Sequence, residues 1–454
     1  MKKHNTLVVG AALFLSACAN LMAAPDAETA AMQGFWQSEG YSYLIEIKAD
    51  QARFYEYSGT DCVASFSGKV SKGRIELDAG PLGKMSGSIA VTGAGDAGAG
   101  EELVIVLNST QERRARRIAA IPEPQAKALA RRGSDNARVF DALYASFDEN
   151  YAFFEERKVD WKAAREECRP AAIAAKNEGE LFNALKSLLA RTGDGHVGLI
   201  AGLTADRNYE AGSLPAWKPE AQTFVNAVKA SYLADAPAKA AGNKLAFGKL
   251  RDGGAYLCLV GMEDYASDFD TGRKALDEGL DAAFAACSAS PYLVLDLRFN
   301  SGGLDAYSLQ VASRFAQARS LAWTKKARSG SGWTGEKAFY VEPSAGTRWT
   351  KPFYVLTSGL TASAAESCAL ALAGLPGSTI VGERTRGIFS DMLIRKLPNG
   401  WYATLSNEVY FDANGNKLET AGIKPDIEVP MDLAAARQGR DPALEAIRAR
   451  ESAR

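Results

Sequence analysis

Two quoted stretches do most to limit what this chain can fold into: "YLVLDLRFNSGG" (residues 292–303) and "FYVLTSGLTASAAES" (residues 353–367). Each is an apolar run of strand length that breaks at a glycine turn and leads into helix-forming sequence. The first reads as a buried strand with a helix starting near Asp305, the second as a strand with a helix over 363–374. "AYLCLVG" (255–261) followed by a helix over about 272–286, and the strand "STIVG" (378–382), repeat the alternation. Strands alternating with helices in this manner indicate an α/β fold. Between them, residues 326–350 are rich in Gly and Ser and read as a long loop at the rim of a cleft.

The first part of the chain has a different period. Over residues 34–108, "YLIEIKAD" and "ARFYEYS" alternate or run apolar between Gly, Asp and Ser, the pattern of short strands, and "GAGDAGAG" (93–100) reads as a flexible loop. Pro122 and Pro124 mark a boundary. Beyond it Phe140, Leu143, Tyr144, Phe147 and Tyr151 share one face of a helix, and a second amphipathic stretch covers 181–189. The expected organisation is a signal peptide (1–17), a tether (18–33), a small antiparallel β domain (34–120), a helical segment (134–200), an α/β catalytic domain (201–432) and a C-terminal helical tail (433–454). No internal repeat is evident.

At the N-terminus, Lys2 and Lys3 precede an apolar run (7–15) too short to cross a bilayer, which ends in "LSAC". This resembles the bacterial lipobox, which implies that Cys18 becomes a lipid-modified N-terminus; Ala19 in second place fits outer-membrane sorting. Ordinary signal cleavage near Ala19 or Ala24, giving a soluble periplasmic protein, is the rival reading. Net charge is −1 and no basic cluster is evident, so a nucleic-acid partner is not indicated. Cys62, Cys168, Cys258, Cys287 and Cys368 form no C-x-x-C pair, which argues against structural zinc. Buried free thiols are expected, with one or two disulfides left open.

Beyond the leader the chain holds a single histidine, His196, in "TGDGHVGL" (192–199). It follows a helix end on a glycine-rich turn, where a side chain can be aimed outward; taken alone, it reads equally as filler. Ser363 opens a helix, where unpaired backbone N–H groups can stabilise an oxyanion. The bland alternative is a capping box, Ser363-x-x-Glu366. The adjacent Gly302 and Gly303 allow a close backbone approach to a substrate or simply make a turn. Glu419, in "LETAGIKPDIEV" (418–429), is a carboxylate able to orient an imidazole, or a solvated surface acid.

Taken in order, "DGHVGL", "LVLDLRFNSGG", "LTSGLTASAAE", "IVGERTRG" and "ETAGIKPDIEV" resemble the serine peptidases of the C-terminal processing peptidase and tricorn core family, over roughly residues 135–430. The stretch from "FDALYASFDENYAFF" to "VDW" is similar to that family's helical lead-in. The resemblance implies a ClpP/crotonase-like ββα spiral, with Ser363 as nucleophile and the amides of Gly302 (or Gly303) and Ala364 as the oxyanion hole. Processing peptidases use a lysine base in a "G-K-G" context. Here Ile388 stands in its place, and the next lysine, Lys396, falls within an expected strand. The tricorn-like branch uses histidine, which His196 supplies as general base. Tricorn-type sites carry a serine just before that histidine, where this chain has Gly195. Glu419, directly or through water, or else Asp194, is then left to orient the ring. Residues 201–253 lack the length and pattern of a PDZ module. The implied activity is hydrolysis of peptide or protein substrates without metal or organic cofactor, and a homo-oligomer is compatible with the resemblance. The alternative is a catalytically silent binding or scaffold lipoprotein on the same fold.

Overall fold

Period-two burial closes the first part of the chain on itself. In strands such as Gln51–Ser58 and Glu102–Leu107, alternate side chains point inward. Eight antiparallel strands from Gly34–Ser38 to Gln111–Ile118 form a closed barrel in which the first pairs with the last. The fully buried Trp36 packs with Ile45, Phe54, Ile75, Ile89 and Ile105, filling the interior. At one end the Arg117 guanidinium lies 4.1 Å from the Trp36 ring centroid, while its N–H groups donate to the carbonyls of Gln33 and Ala31. This computed structural model describes residues 26–59, 61–78, 80, 83–93, 101–202 and 208–453. The leader, Cys18 and nearly all of the 93–100 loop lie outside the described residues. Among those described, no helix is long and apolar enough to cross a membrane.

Helices Asn136–Asn150, Trp161–Ala174 and Glu178–Leu189 follow, each started by a side chain that accepts a backbone N–H: Asp135, Asp160 and Asn177. Phe140, Leu143, Phe147 and Tyr151 are buried on one face. Tyr144, placed on the same face by its spacing, is half-buried and stacks on Trp161. The last of these helices tightens into a short 3-10 turn ended by Gly193 at φ +58°.

The second half is built on a seven-stranded sheet. Its order is Ala238–Ala240, Leu245–Lys249, Ala255–Leu259, Leu293–Asp296, Phe353–Thr357, Ser378–Gly382, Ile427–Glu428. Its first two pairings are antiparallel and the rest parallel. Helices Phe269–Ala286, Asp305–Ser313 and Ala364–Ala373 bury Leu276, Leu280, Val311 and Leu372 in the same core as Leu257, Leu295 and Val355. The chain is thus α/β with an N-terminal antiparallel barrel. Four neighbouring parallel strands end at the same edge and release the segments around Met262, Gly302, Ser363 and Arg386. In open α/β sheets, ligands bind at that carboxyl edge.

One expectation fails. Residues 326–350 are not one long loop: strands Ser320–Ser329 and Lys337–Val341 pair antiparallel, and the first also pairs with Glu408–Phe411. The inward face of Ser320–Ser329 carries a buried Lys325, which hides the apolar alternation. The glycines make the hairpin turn, with Gly330 at φ +58°. Lys396 does lie in a strand, Met392–Lys396, and its Nζ donates to the barrel carbonyl of Ala64 at 3.1 Å. Cys62, Cys168, Cys258, Cys287 and Cys368 are all buried free thiols.

Candidate active site

The His196 turn is built by Asp194. One carboxylate oxygen accepts the His196 backbone N–H at 2.8 Å, and the other accepts the Tyr151 hydroxyl at 2.9 Å. Asp194 is fully buried and His196 is 7% exposed. The imidazole Nδ1 is buried with no hydrogen-bond partner among the described residues. Neither Asp194 nor Glu419 therefore bonds that nitrogen. Burial pushes the His196 pKa below its ordinary value, against the charges of Asp194 and Asp391, with Arg386 pushing the same way as burial. A buried imidazole of this kind is neutral at neutral pH.

Position 195 is crowded by the ends of two side chains. A methyl on Gly195 would lie 2.8 Å from Arg386 Nη2 and 3.0 Å from Ile388 Cδ1. Arg386 is fixed there by the Glu210 carboxylate at 2.8 Å and the Ser213 carbonyl at 3.1 Å.

Ser363 has φ +54° and ψ −129°, a strained backbone for a residue with a side chain. It immediately precedes helix Ala364–Ala373, at the end where backbone N–H groups are unpaired. The capping box is present, and its glutamate half is well formed: Glu366 accepts the Ser363 N–H at 3.2 Å. The serine half is loose: the hydroxyl oxygen accepts no helix N–H in normal hydrogen-bond geometry. Gly302 faces this residue so closely that a methyl there would lie 2.7 Å from Ser363 Cβ and 3.1 Å from the Ala364 nitrogen. Of the two candidate glycine amides, that of Gly302 is already donated to Asn300 Oδ1 at 2.9 Å. The N–H groups of Gly303 and Ala364 have no partner among the described residues. Gly303 sits at φ +140°, where a methyl would fall 2.2 Å from the Met262 carbonyl oxygen, so only glycine fits.

What unites these pieces is the segment 386–390, which carries Ile388. The Ile388 carbonyl accepts the Ser363 N–H at 3.1 Å, and its side chain faces Gly195 beside the histidine. Glu366 accepts the N–H groups of Gly387 (2.7 Å) and Ile388 (2.9 Å). Glu419 accepts those of Phe389 (2.8 Å) and Ser390 (3.4 Å) and pairs with Arg157 at 3.0 Å. Burial pushes the Glu366 carboxyl up to about 7, against these hydrogen bonds. Burial and the Asp194 charge push Glu419 up to about 8, against the pull of Arg157. Glu419, 3% exposed, thus acts on the backbone that touches both Ser363 and the histidine turn. Sequence reasoning passes over Arg157, Tyr151 and Glu366's grip on this segment. Only the i, i+3 spacing of Ser363 and Glu366 signals any of it.

Comparison with known proteins matches two parts of the chain. Residues 255–429 match Peptidase family S41, and residues 134–190 match the Tricorn protease C1 domain. A carboxy-terminal-processing protease of Bartonella bacilliformis is 30% identical over 151 residues, 33% of this chain and 34% of that protein. The carboxy-terminal processing protease CtpA of Bacillus subtilis is 27% identical over 172 residues, 38% of this chain and 35% of that protein. The chain therefore matches about a third of the length of these curated relatives. Among solved structures, a putative peptidase from Parabacteroides merdae aligns with TM-score 0.58 and 27% identity, over 69% of this chain and 96% of that one. Mature CPAF complexed with lactacystin aligns with TM-score 0.52 at 11% identity, over 67% of this chain and 95% of that one, a likeness of fold. The family resemblance carried by the motifs is the one these comparisons return.

Proposed function

We propose that this relative of the S41 peptidases is a serine peptidase that cleaves peptide bonds through an acyl-enzyme on Ser363. The reading rests on one observation above the rest: a strained serine at a helix start, wedged against Gly302, with the unpartnered amides of Gly303 and Ala364 beside it. In this mechanism His196 takes the hydroxyl proton as Ser363 Oγ attacks the scissile carbonyl. The two amides donate to the oxygen that becomes negative; Gly302 acts through its fit against Ser363, its own N–H being held by Asn300. His196 then returns the proton to the departing amine as the C–N bond breaks, and a water deprotonated by the same ring frees the acid product. Glu419 holds the 389–390 backbone and supports the ring only at second hand.

The catalytic core is read as a ClpP/crotonase-like ββα spiral over 201–432, following the helical segment 134–200 and the small β domain 34–120. Peptide or protein substrates agree with the names of the relatives above. Attachment to the periplasmic face of the outer membrane through a lipidated Cys18 is part of the same reading. Replacing Cys18 by Ser is expected to release the protein from the membrane fraction, and unchanged fractionation would contradict the anchor.

The activity is tested by hydrolysis of fluorescently labelled casein. Purified parent protein is expected to cleave it, and Ser363→Ala and His196→Ala to lose cleavage while still unfolding in a single cooperative transition. Cleavage that survives Ser363→Ala would overturn the assignment. A parent that neither cleaves casein nor reacts with a fluorophosphonate would favour the silent binding protein.

A further inference from the structure

We propose that Arg157 is a positioning residue, a clamp that fixes the histidine turn against segment 386–390, which contacts both that turn and Ser363. The proposal rests on the serine-peptidase reading above. Arg157 comes from the loop after helix Asn136–Asn150, far in sequence from both reacting groups. Its guanidinium makes three contacts, two to the histidine turn and one to Glu419. One Nη donates to the Glu419 carboxylate at 3.0 Å, the other to the Gly193 carbonyl at 3.2 Å, and Nε faces the Asp194 carboxylate at 3.5 Å. Glu419 in turn holds Phe389 and Ser390, while Asp194 holds the His196 backbone. A planar fork is suited to such bridging, and a point charge on a flexible stem is not.

The neighbouring residue strengthens the case. Glu156 pairs with Lys417 at 2.7 Å, so adjacent side chains of one loop bind the same 417–419 stretch with opposite polarity. The Arg157 side chain is only 12% exposed and Glu419 and Asp194 are buried, so the contacts are shielded from solvent. Asp194 and Glu366 act on the Glu419 carboxyl in the same direction as burial, and Arg157 opposes all three. Tyr151 also faces Asp194, while Asp391, Arg386 and Glu210 act electrostatically on His196. Loss of the guanidinium leaves two buried carboxylates facing each other without a cation. Glu419 then needs a higher pH to ionise and to hold the 389–390 amides at full strength.

The test is the second-order rate of fluorophosphonate labelling, measured per folded molecule between pH 5 and pH 9, for the parent, Arg157→Met and Arg157→Lys. Arg157→Met is expected to label at least about tenfold more slowly at pH 7, and the step of its rate–pH profile that follows Glu419 ionisation is expected to rise by about one unit, the usual size of a lost opposite charge, while the lower step set by His196 stays in place. Arg157→Lys is expected to restore the midpoint of the Glu419 step and only part of the rate. Should Arg157→Met fail to fold, Arg157→Lys and Glu419→Gln, which keep the volume, carry the test: both are expected to be slowed. A parental rate and midpoint in Arg157→Met overturns the clamp while leaving the nucleophile assignment intact. Absence of labelling in the parent overturns the peptidase reading itself.

Discussion

An imidazole that is 7% exposed gives up its hydration before it gains a charge, and this sets the chemistry open to His196. Since burial dominates its shift, the ring stays neutral to a lower pH than the roughly 6.5 of a free histidine. A general base must be neutral to act. The rate of fluorophosphonate labelling should therefore rise with pH in a step whose midpoint lies below that value; a profile with no step below it would show that another group is the base. For stability the sign is the same. Between the folded and unfolded values the unfolded chain binds more protons, so the His196 contribution is complete above the unfolded value and is lost as pH falls. Gly303 is the second test at this scale. Its φ of +140° and the 2.2 Å approach to the Met262 carbonyl leave no room for a methyl. Gly303→Ala should lower labelling by about a hundredfold or more, the size seen when an oxyanion donor is displaced.

At the scale of elements, the segment 386–390 is hung from two buried carboxylates, Glu366 below the serine and Glu419 across from it. Glu366→Gln replaces one of the two accepting oxygens by an amide NH2 aimed at a backbone N–H. A cost of about 1–3 kcal/mol is expected for that unsatisfied group. The cost should depend on pH in a definite direction. A carboxyl raised to about 7 in the folded state binds a proton that the unfolded chain releases, so its contribution is lost as pH rises above the unfolded carboxylate range. The difference in melting temperature between parent and Glu366→Gln should shrink from pH 5 to pH 8 in differential scanning fluorimetry; a gap that widens would contradict the assignment.

These elements differ in how far they can be read from residues alone. Helices opened by Asp135, Asp160 and Asn177 carry their caps in the sequence, and the apolar strands before Gly302 and Ser363 announce their own burial. The segment 386–390 announces nothing. "RGIFS" owes its place to acceptors on Glu366 and Glu419, which are distant in sequence, and to a histidine turn further away still. Ile388 reads as the absence of a lysine, and only its contacts reveal a hub. The strand around Lys325 is missed for a related reason, because its inward lysine is matched to a glutamate that no local pattern reveals.

At the scale of the molecule, a buried polar layer joins the barrel to the α/β half. Lys325 Nζ lies 2.8 Å from the Glu408 carboxylate, which also accepts the barrel's Tyr41 hydroxyl at 2.6 Å. Arg395 donates to the carbonyls of Tyr41 and Tyr57. The Glu408 N–H in turn donates to Ser390 Oγ at 3.0 Å, so the layer ends on the segment that supports the site. Lys325→Met strands Asp305 without its cation and leaves Glu408 with Arg113 alone, at 3.7 Å, and a loss of about 3–5 kcal/mol is expected, as when one partner of a buried pair is removed. Chemical denaturation should show it, with slowed labelling in the same variant. An unchanged midpoint would mean that the layer does not hold the two halves together. The barrel's closure, by contrast, is beyond what alternating strands reveal: a small antiparallel β domain is legible, but its eight-strand count and the pairing of the first strand with the last are properties of the whole.

The central claim is a proton passed from the Ser363 hydroxyl to the His196 ring, and the most direct measurement is where, and how fast, a fluorophosphonate becomes covalently attached. Tandem mass spectrometry of the labelled protein should place the adduct on Ser363, with the labelling rate reduced at least about a hundredfold in His196→Ala, the range expected for loss of a general base. An adduct on another residue, or a His196→Ala variant that labels at the parental rate, would contradict it.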